Sequence, residues 1–235
     1  MNTNSNSYTI IYASVMVVIV AFLLAFVSSA LKPTQDKNVE LDKKKQILAA
    51  LNIRDLQDAN AIESKYDEVI VADMIINAKG DTINAGAEKD QAGFKVENKE
   101  ITAENLPIYI CNVEGVTKYV VPMSGRGLWG GLWGYMAIND DCSTVYGAYF
   151  SHESETAGLG SPIAEQKFQD QFKGKQIFAD TAATQVALTI VKKGQVKNPE
   201  YEVDGLTGAT LTTKGAAAMV TDGLQQYIGF FNANK

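Results

Sequence analysis

PIYICNVEGVTKYVVPMSGRGLWGGLWGYMAINDDCSTVYGAYFS, Pro107–Ser151, is the stretch that decides the fold. It holds four short runs, PIYICNVEG, TKYVVPM, GYMAIND and STVYGAYFS, rich in Val, Ile, Tyr and Phe and separated by Gly, Asn and Asp. Such runs read as strands joined by tight turns. Downstream, IAEQKFQDQFKGKQI carries Phe168 and Phe172 four apart, the spacing of one helix face. QVALTIVKK reads as a fifth strand, and Gly215 to Asn232 as a closing helix. Strands first, then helices interleaved without strict alternation, predict an α+β domain with a twisted, mainly antiparallel sheet and flanking helices.

Upstream, VELDKKKQILAALNI places Leu41, Ile47, Leu48 and Leu51 near one face, which predicts an amphipathic linker helix at about residues 40–52. Asp55 to Lys65 reads as a second helix. YDEVIVADMIINAKGDTI reads as a short extended segment with a turn at Gly80–Asp81, and Gly86 to Lys99 as polar loop. Farther back, a short polar stretch (residues 1–7) precedes Tyr8 to Leu31, which contain no charged side chain. As a helix those residues would extend about 36 Å, enough to cross a hydrocarbon layer with some tilt. Tyr8 and Tyr12 sit at one end, where aromatic rings favour the interface. Ser28 and Ala30 are spaced like a signal-peptide cleavage site, but residues 1–7 carry no basic residue and the apolar run is too long, so an uncleaved anchor is expected. Lys32 to Gln35, with Pro33, read as a turn leaving the membrane, and residues 32–235 as one domain. Lys32, Lys37, Lys43, Lys44 and Lys45 follow the span. A literal positive-inside count would keep the domain in the cytoplasm, yet acids alternate with these lysines and large domains translocate despite flanking charge. Charge leaves both sides open.

The net charge of −6 and pI near 4.9 argue against nucleic acid, whose phosphates need clustered Lys and Arg. The Lys43–Lys45 run lies beside Glu40 and Asp42 and reads as a solvated helix face. With Cys111 and Cys142 the only cysteines and His152 the only histidine, no metal site is expected. The two cysteines could pair in an oxidising compartment or remain buried thiols.

Three glycine-rich segments stand out. SGRGLWGGLWG, Ser124–Gly134, contains a literal GxGxxG in Gly125, Gly127 and Gly130. GGLWGYMAI does not open a helix and no acid follows at the required distance, so a dinucleotide fingerprint is rejected in favour of a tight connection flanked by Trp129 and Trp133. SHESETAGLG, Ser151–Gly160, reads as a loop whose Gly158 and Gly160 let the backbone approach a flat ligand. Its His-x-x-Glu is a weak metal signal. DGLTGAT, Asp204–Thr210, leads into the last helix with Thr207, Thr210, Thr212 and Thr213 crowding its start. A helix N-terminus suits a phosphate, but composition alone equally gives a DG turn with threonine capping.

DGLTGAT resembles the flavinylation motif of the FMN-binding domain family, and ETAGLG and GRGLWG resemble two further segments of it. Their order, the N-terminal span and VELDKKK make nearly the whole chain similar to the C subunit of the sodium-translocating NADH:quinone oxidoreductase. The G subunit of the related ferredoxin-dependent respiratory complex shares the flavin motif and is the nearest alternative; a stand-alone extracytoplasmic flavin electron shuttle is another. The VELDKKKQIL stretch and the GRGLWGGLWG form favour the C subunit. Ala157 departs from the family, which commonly has Pro there. The resemblance implies FMN held by a phosphoester to Thr210, placed there by a separate transferase with FAD as donor. It implies cofactor contacts from Thr207, Gly208, Ala209, Leu211 and Thr212, from Glu155, Thr156, Gly158, Leu159 and Gly160, and from Trp129. Asp204 would orient the loop or be read by the transferase. No side chain is expected to be catalytic in its own right. Electrons would arrive from an iron–sulfur centre in membrane subunits and pass to the FMN of the B subunit, with the B, D and E subunits and membrane lipid as neighbours. The domain would lie on the periplasmic side of the inner membrane, and the chain alone would not carry out the NADH:quinone reductase reaction.

Overall fold

The computed structural model describes residues 5–180 and 182–235; residues 1–4, within the polar N-terminal stretch, lie outside the described residues. The chain divides into two compact units at Lys43/Lys44. Helix α1 runs without interruption over Asn6–Ala50, through the expected turn at Lys32–Gln35. Pro33 removes a single i→i−4 hydrogen bond, and Gln35, Lys37, Glu40 and Leu41 beyond it are helix formers, so one lost bond does not end the helix. Lys32 and Asp36 pair across the proline at 3.2 Å. The apolar part of α1 is long enough to cross a membrane and none of it is buried.

The second unit begins at Lys44, and there the helix changes character. Gln46, Ile47, Leu48, Ala49 and Ala50 are all buried, so this segment is a plug enclosed on every side rather than one amphipathic face; Leu41 lies outside it and is half-buried. Helix α2, Ala59–Val69, starts four residues later than expected, because the Asp58 carboxylate caps it by accepting the Ala61 amide at 3.0 Å.

Six strands form one antiparallel sheet in the order β2-β1-β3-β4-β5-β6: β1 Ile70–Ile76, β2 Thr82–Asn84, β3 Leu106–Val113, β4 Val116–Arg126, β5 Gly131–Asn139 and β6 Val145–His152. Hairpins join β1 to β2 and each successive pair from β3 to β6, while β3 returns beside β1 after a long connection. Glu114 and Gly115 both have positive φ (53° and 83°), the geometry of a two-residue turn that matches strand twist. The central strands are buried on both faces. One face carries Leu106, Ile108, Val121, Met123, Met136 and Phe150 into the main core with the C-terminal helices. The alternate residues turn the other way. There Trp133 Nε1–H donates to Gln46 Oε1 (3.2 Å), Asn52 donates to the Tyr146 carbonyl (3.0 Å), and Tyr109 packs edge-on to Tyr135.

The loop over 86–99 is ordered by one buried carboxylate. Asp73 on β1 is fully buried and accepts the amides of Asp90, Ala92 and Phe94 at 3.1, 3.1 and 2.8 Å. Asp90 in turn pairs with Lys44 at 2.7 Å, whose ammonium lies over the Tyr66 ring. After β6 come a short helix α3, Gln166–Gln169, and a 3₁₀ turn through Phe172, so the Phe168/Phe172 pair is stacked edge-on at 5.8 Å in the core as its spacing suggested. Strand β7, Thr189–Val191, pairs in parallel with β8, Glu202–Asp204, a strand too short and too polar to be read from sequence. Helix α4 spans Thr210–Gln225, beginning five residues before the expected Gly215, and a separate α5 covers Ile228–Ala233. Both cysteines are free and buried.

Because Leu48 sits in the core while the preceding apolar helix does not, Leu48→Ala is expected to cost about 2–5 kcal/mol in chemical denaturation of the C-terminal domain. Leu23→Ala should leave that transition within about 0.5 kcal/mol. Equal effects from the two would show that the plug is not part of the domain core.

Candidate functional site

The three glycine-rich segments meet at one end of the sheet. In the first, Gly125 and Arg126 belong to β4 and pair with Leu132 and Gly131 of β5. The Gly127 amide closes the turn on the Gly130 carbonyl at 2.9 Å. The literal GxGxxG is therefore the tip of a β-hairpin, with no helix opening on it, and Trp129 at that tip is 66% exposed. In the second segment, the Thr156 carbonyl accepts the amides of Leu159, Gly160 and Ser161, each at 3.1 Å, making a tight exposed turn after β6. In the third, β8 ends at Asp204 and α4 begins at Thr210.

Glu155 joins all three. It is buried, with Oε1 accepting the Trp129 amide at 2.9 Å and Oε2 accepting the Thr212 hydroxyl. Its own amide donates to His152 Nδ1 at 3.2 Å, which occupies the lone histidine. Gly160 is required beside this junction: a Cβ there would lie 2.5 Å from Glu155 Oε2 and 2.7 Å from Thr212 Oγ1. Gly215 has the same role farther along α4, where a Cβ would strike the Arg126 carbonyl oxygen at 2.1 Å. Burial opposes ionisation of Glu155, but hydrogen bonds from the Thr212 hydroxyl and the Trp129, Leu128 and Gly130 amides outweigh it and hold the carboxyl below the usual range.

The side chains of Glu155 and Thr212 thus face each other inward, and Ala209 is buried, while Thr207, Gly208, Thr210, Leu211, Thr156, Gly158, Leu159 and Trp129 are exposed around them. Gly208 has φ +74°, and its Cα side lies against Leu159, whose Cδ2 is 3.2 Å from where a Cβ would stand. Helix α4 starts without a side-chain cap, and the first amide of the turn to reach a carbonyl is that of Thr213, on Ala209 at 2.9 Å. The preceding amides and the positive end of the helix dipole make an anion site beside the exposed Thr210 hydroxyl. A phosphate-bearing flavin therefore fits: the helix start supplies donors, and Leu159, Leu211 and Trp129 supply apolar surface.

The Asp204 carboxylate is engaged by the connection between β7 and β8. Its Oδ1 accepts the Gly194 amide at 2.8 Å and its Oδ2 pairs with Lys193 at 3.1 Å. The bond from Gly194, then the pairing with Lys193, keep this carboxyl below its usual range despite some desolvation. Asp204 thereby fixes the connection between β7 and β8. Sequence reasoning missed a cleft of about 470 Å³ between Leu159, Pro162, Phe168, Leu206 and Thr207, rimmed by Lys167 and Lys193. No local pattern signals it, because its walls come from four separate segments.

Glu155→Gln can keep only one of the two carboxylate acceptors and is expected to cost about 1–3 kcal/mol at neutral pH. The sign of the pH dependence follows from the lowered folded value. The carboxylate's contribution is complete above the ordinary glutamate range near about 4.3 and is lost as pH falls through the lower folded value. Chemical denaturation across that range should show the Gln variant lacking this acid-side loss.

Comparison with known proteins places this geometry. The FMN-binding domain profile matches residues 127–225, from the hairpin turn to the last residue of α4. The C subunit of the Na(+)-translocating NADH-quinone reductase of Haemophilus ducreyi is 33% identical, over 99% of this chain and 96% of that protein. The corresponding C subunit of Pasteurella multocida is 31% identical, over 91% and 88% of the two chains. The crystal structure of the C subunit from Parabacteroides distasonis superposes with a TM-score of 0.79 at 34% identity, covering 87% of this chain and 98% of that one. Shared sequence along almost the full length, and shared architecture, show that this chain belongs to the C-subunit family of the Na(+)-translocating NADH-quinone reductases.

Proposed function

We propose that this chain is the FMN-carrying electron-transfer subunit of a sodium-translocating NADH-quinone reductase, with the flavin bonded through its phosphate to Thr210. The observation that carries the reading is the meeting of the three glycine segments at Glu155, which fixes an exposed threonine hydroxyl at the uncapped start of α4. When bound, FMN supplies the electron-accepting and electron-donating chemistry. The residues of the chain supply the rest. The first-turn amides of α4 bind the phosphate, and the Thr210 oxygen makes the attachment permanent, so a carrier keeps its redox centre through many turnovers. Leu159, Leu211 and Trp129 would offer the ring exposed apolar surface. Thr210 lies on the surface, where a separate transferase using FAD as donor can reach it.

In this reading electrons enter from an iron–sulfur centre held by membrane subunits and leave to the FMN of the B subunit. The B, D and E subunits are the nearest neighbours. Residues 8–31 of α1 anchor the chain in the inner membrane, residues 32–235 form the FMN-binding domain, and that domain lies on the periplasmic side. The apolar, unburied N-terminal part of α1 supports the anchor; the side rests on family resemblance.

Thr210→Val replaces an exposed hydroxyl by a methyl and should leave stability within about 0.5 kcal/mol. Made together with the transferase, the unaltered chain should gain the mass of an FMN residue and fluoresce after denaturing electrophoresis, and the Val variant should do neither. An adduct mapped to Thr207 or Thr212 would refute the assignment. A reporter active only outside the cytoplasm should work when fused after Lys235; activity from a strictly cytoplasmic reporter there would reverse the orientation.

A further inference from the structure

The cleft beside the 156–161 turn takes no part in holding Glu155, yet it adjoins the attachment loop. Its floor is apolar, from Leu159, Pro162, Phe168 and Leu206, and its rim is polar, from Glu165, Lys167, Gln171 and Lys193. Thr207 stands at its edge, three residues before Thr210. Leu159 is 46% exposed even though the Gly208 backbone lies against it, so its open side faces a space that a flat ring can cover. An apolar floor with a charged and amide-bearing rim matches a planar heteroaromatic whose ring faces are apolar and whose carbonyls and N–H lie along one edge.

The two cations on the rim are not equivalent. Lys167 has an exposed side chain on α3. Lys193 is held 3.1 Å from the half-buried Asp204 carboxylate, which is itself anchored by the Gly194 amide. The first residue of DGLTGAT thus holds a lysine at the cleft's rim, where the partial neutralisation by Asp204 weakens its field relative to that of Lys167.

We infer that the cleft receives the pyrimidine edge of the flavin ring and that Lys167 and Lys193 set its reduction potential, an inference that rests on the attachment to Thr210. Reduction places negative charge on that edge. Nearby ammonium groups stabilise the reduced form and raise the potential, and Glu165 on the same rim opposes them. Asp204 is a positioning residue here, acting through Lys193 without touching the ring.

The test uses the full chain produced with its flavin transferase, with attachment checked by fluorescence after denaturing electrophoresis and the midpoint potential read by spectroelectrochemical titration. Lys167→Met and Lys193→Met should each move the midpoint to more negative values, Lys167→Met by more. Lys167→Arg and Lys193→Arg should stay close to the unaltered chain, and Glu165→Gln should move it to more positive values. Full attachment with unchanged midpoint and visible spectrum in both Met variants would overturn the inference. So would a spectral shift in Trp129→Ala with none in either Met variant, which would leave the ring against the hairpin and outside the cleft. Absence of flavin from the unaltered chain would overturn the attachment itself, a result distinct from either.

Discussion

Glu155 accepts from the Trp129 amide and the Thr212 hydroxyl while buried, and both of its oxygens are committed. A carboxylate without such partners would be expelled from the interior or protonated, so its presence requires the hairpin tip, the turn after β6 and the start of α4 to be in register at once. Gly160 and Gly215 serve the same requirement from the opposite direction, by leaving out the side chains that would push α4 off the hairpin. The position of the Thr210 hydroxyl follows from this junction, since Thr212 lies half a turn beyond it on the same helix. The surface around Thr210 is thus assembled by an inward-facing polar contact, which leaves Thr210, Leu211, Leu159 and Trp129 facing outward.

The sheet makes that junction possible. Its central strands are buried on both faces, with the C-terminal helices on one side and the end of α1 with α2 on the other. Burying five successive residues of α1, rather than one stripe, ties the chain that follows the apolar helix into the core of the domain. Full enclosure of Ile47 and Leu48 holds this segment against the domain that follows it.

A common device appears around Asp204 and Asp73. Asp73 accepts three backbone amides of the 86–99 connection and Asp204 accepts one from the β7–β8 connection, and each has a lysine at its periphery: Lys193 beside the cleft and Lys44 through Asp90. Loops that would otherwise be mobile become walls.

Local pattern was enough for several features. The Val-, Ile-, Tyr- and Phe-rich runs from Pro107 to Ser151 determined the four strands β3 to β6, and the uncharged stretch from Tyr8 to Leu31 determined a helix able to span a membrane, because both depend on pattern and composition within a few turns of chain. The DGLTGAT string likewise marked the start of the last helix, though its first turn begins at Thr210 rather than Gly215. What the sequence could not determine was every feature made by segments far apart. Trp129, Glu155 and Thr212 carry no mutual spacing signal, so the inward turn of Glu155 and Thr212 was invisible in a string that suggested ligand contacts. Continuation of α1 through Pro33, the enclosure of residues 46–50, the parallel pair β7–β8 and the lysine-rimmed cleft were decided by tertiary packing alone. The physical reason is common to all of them: which polar groups are buried, and which are left at a surface, is settled only when distant segments compete for the same partners.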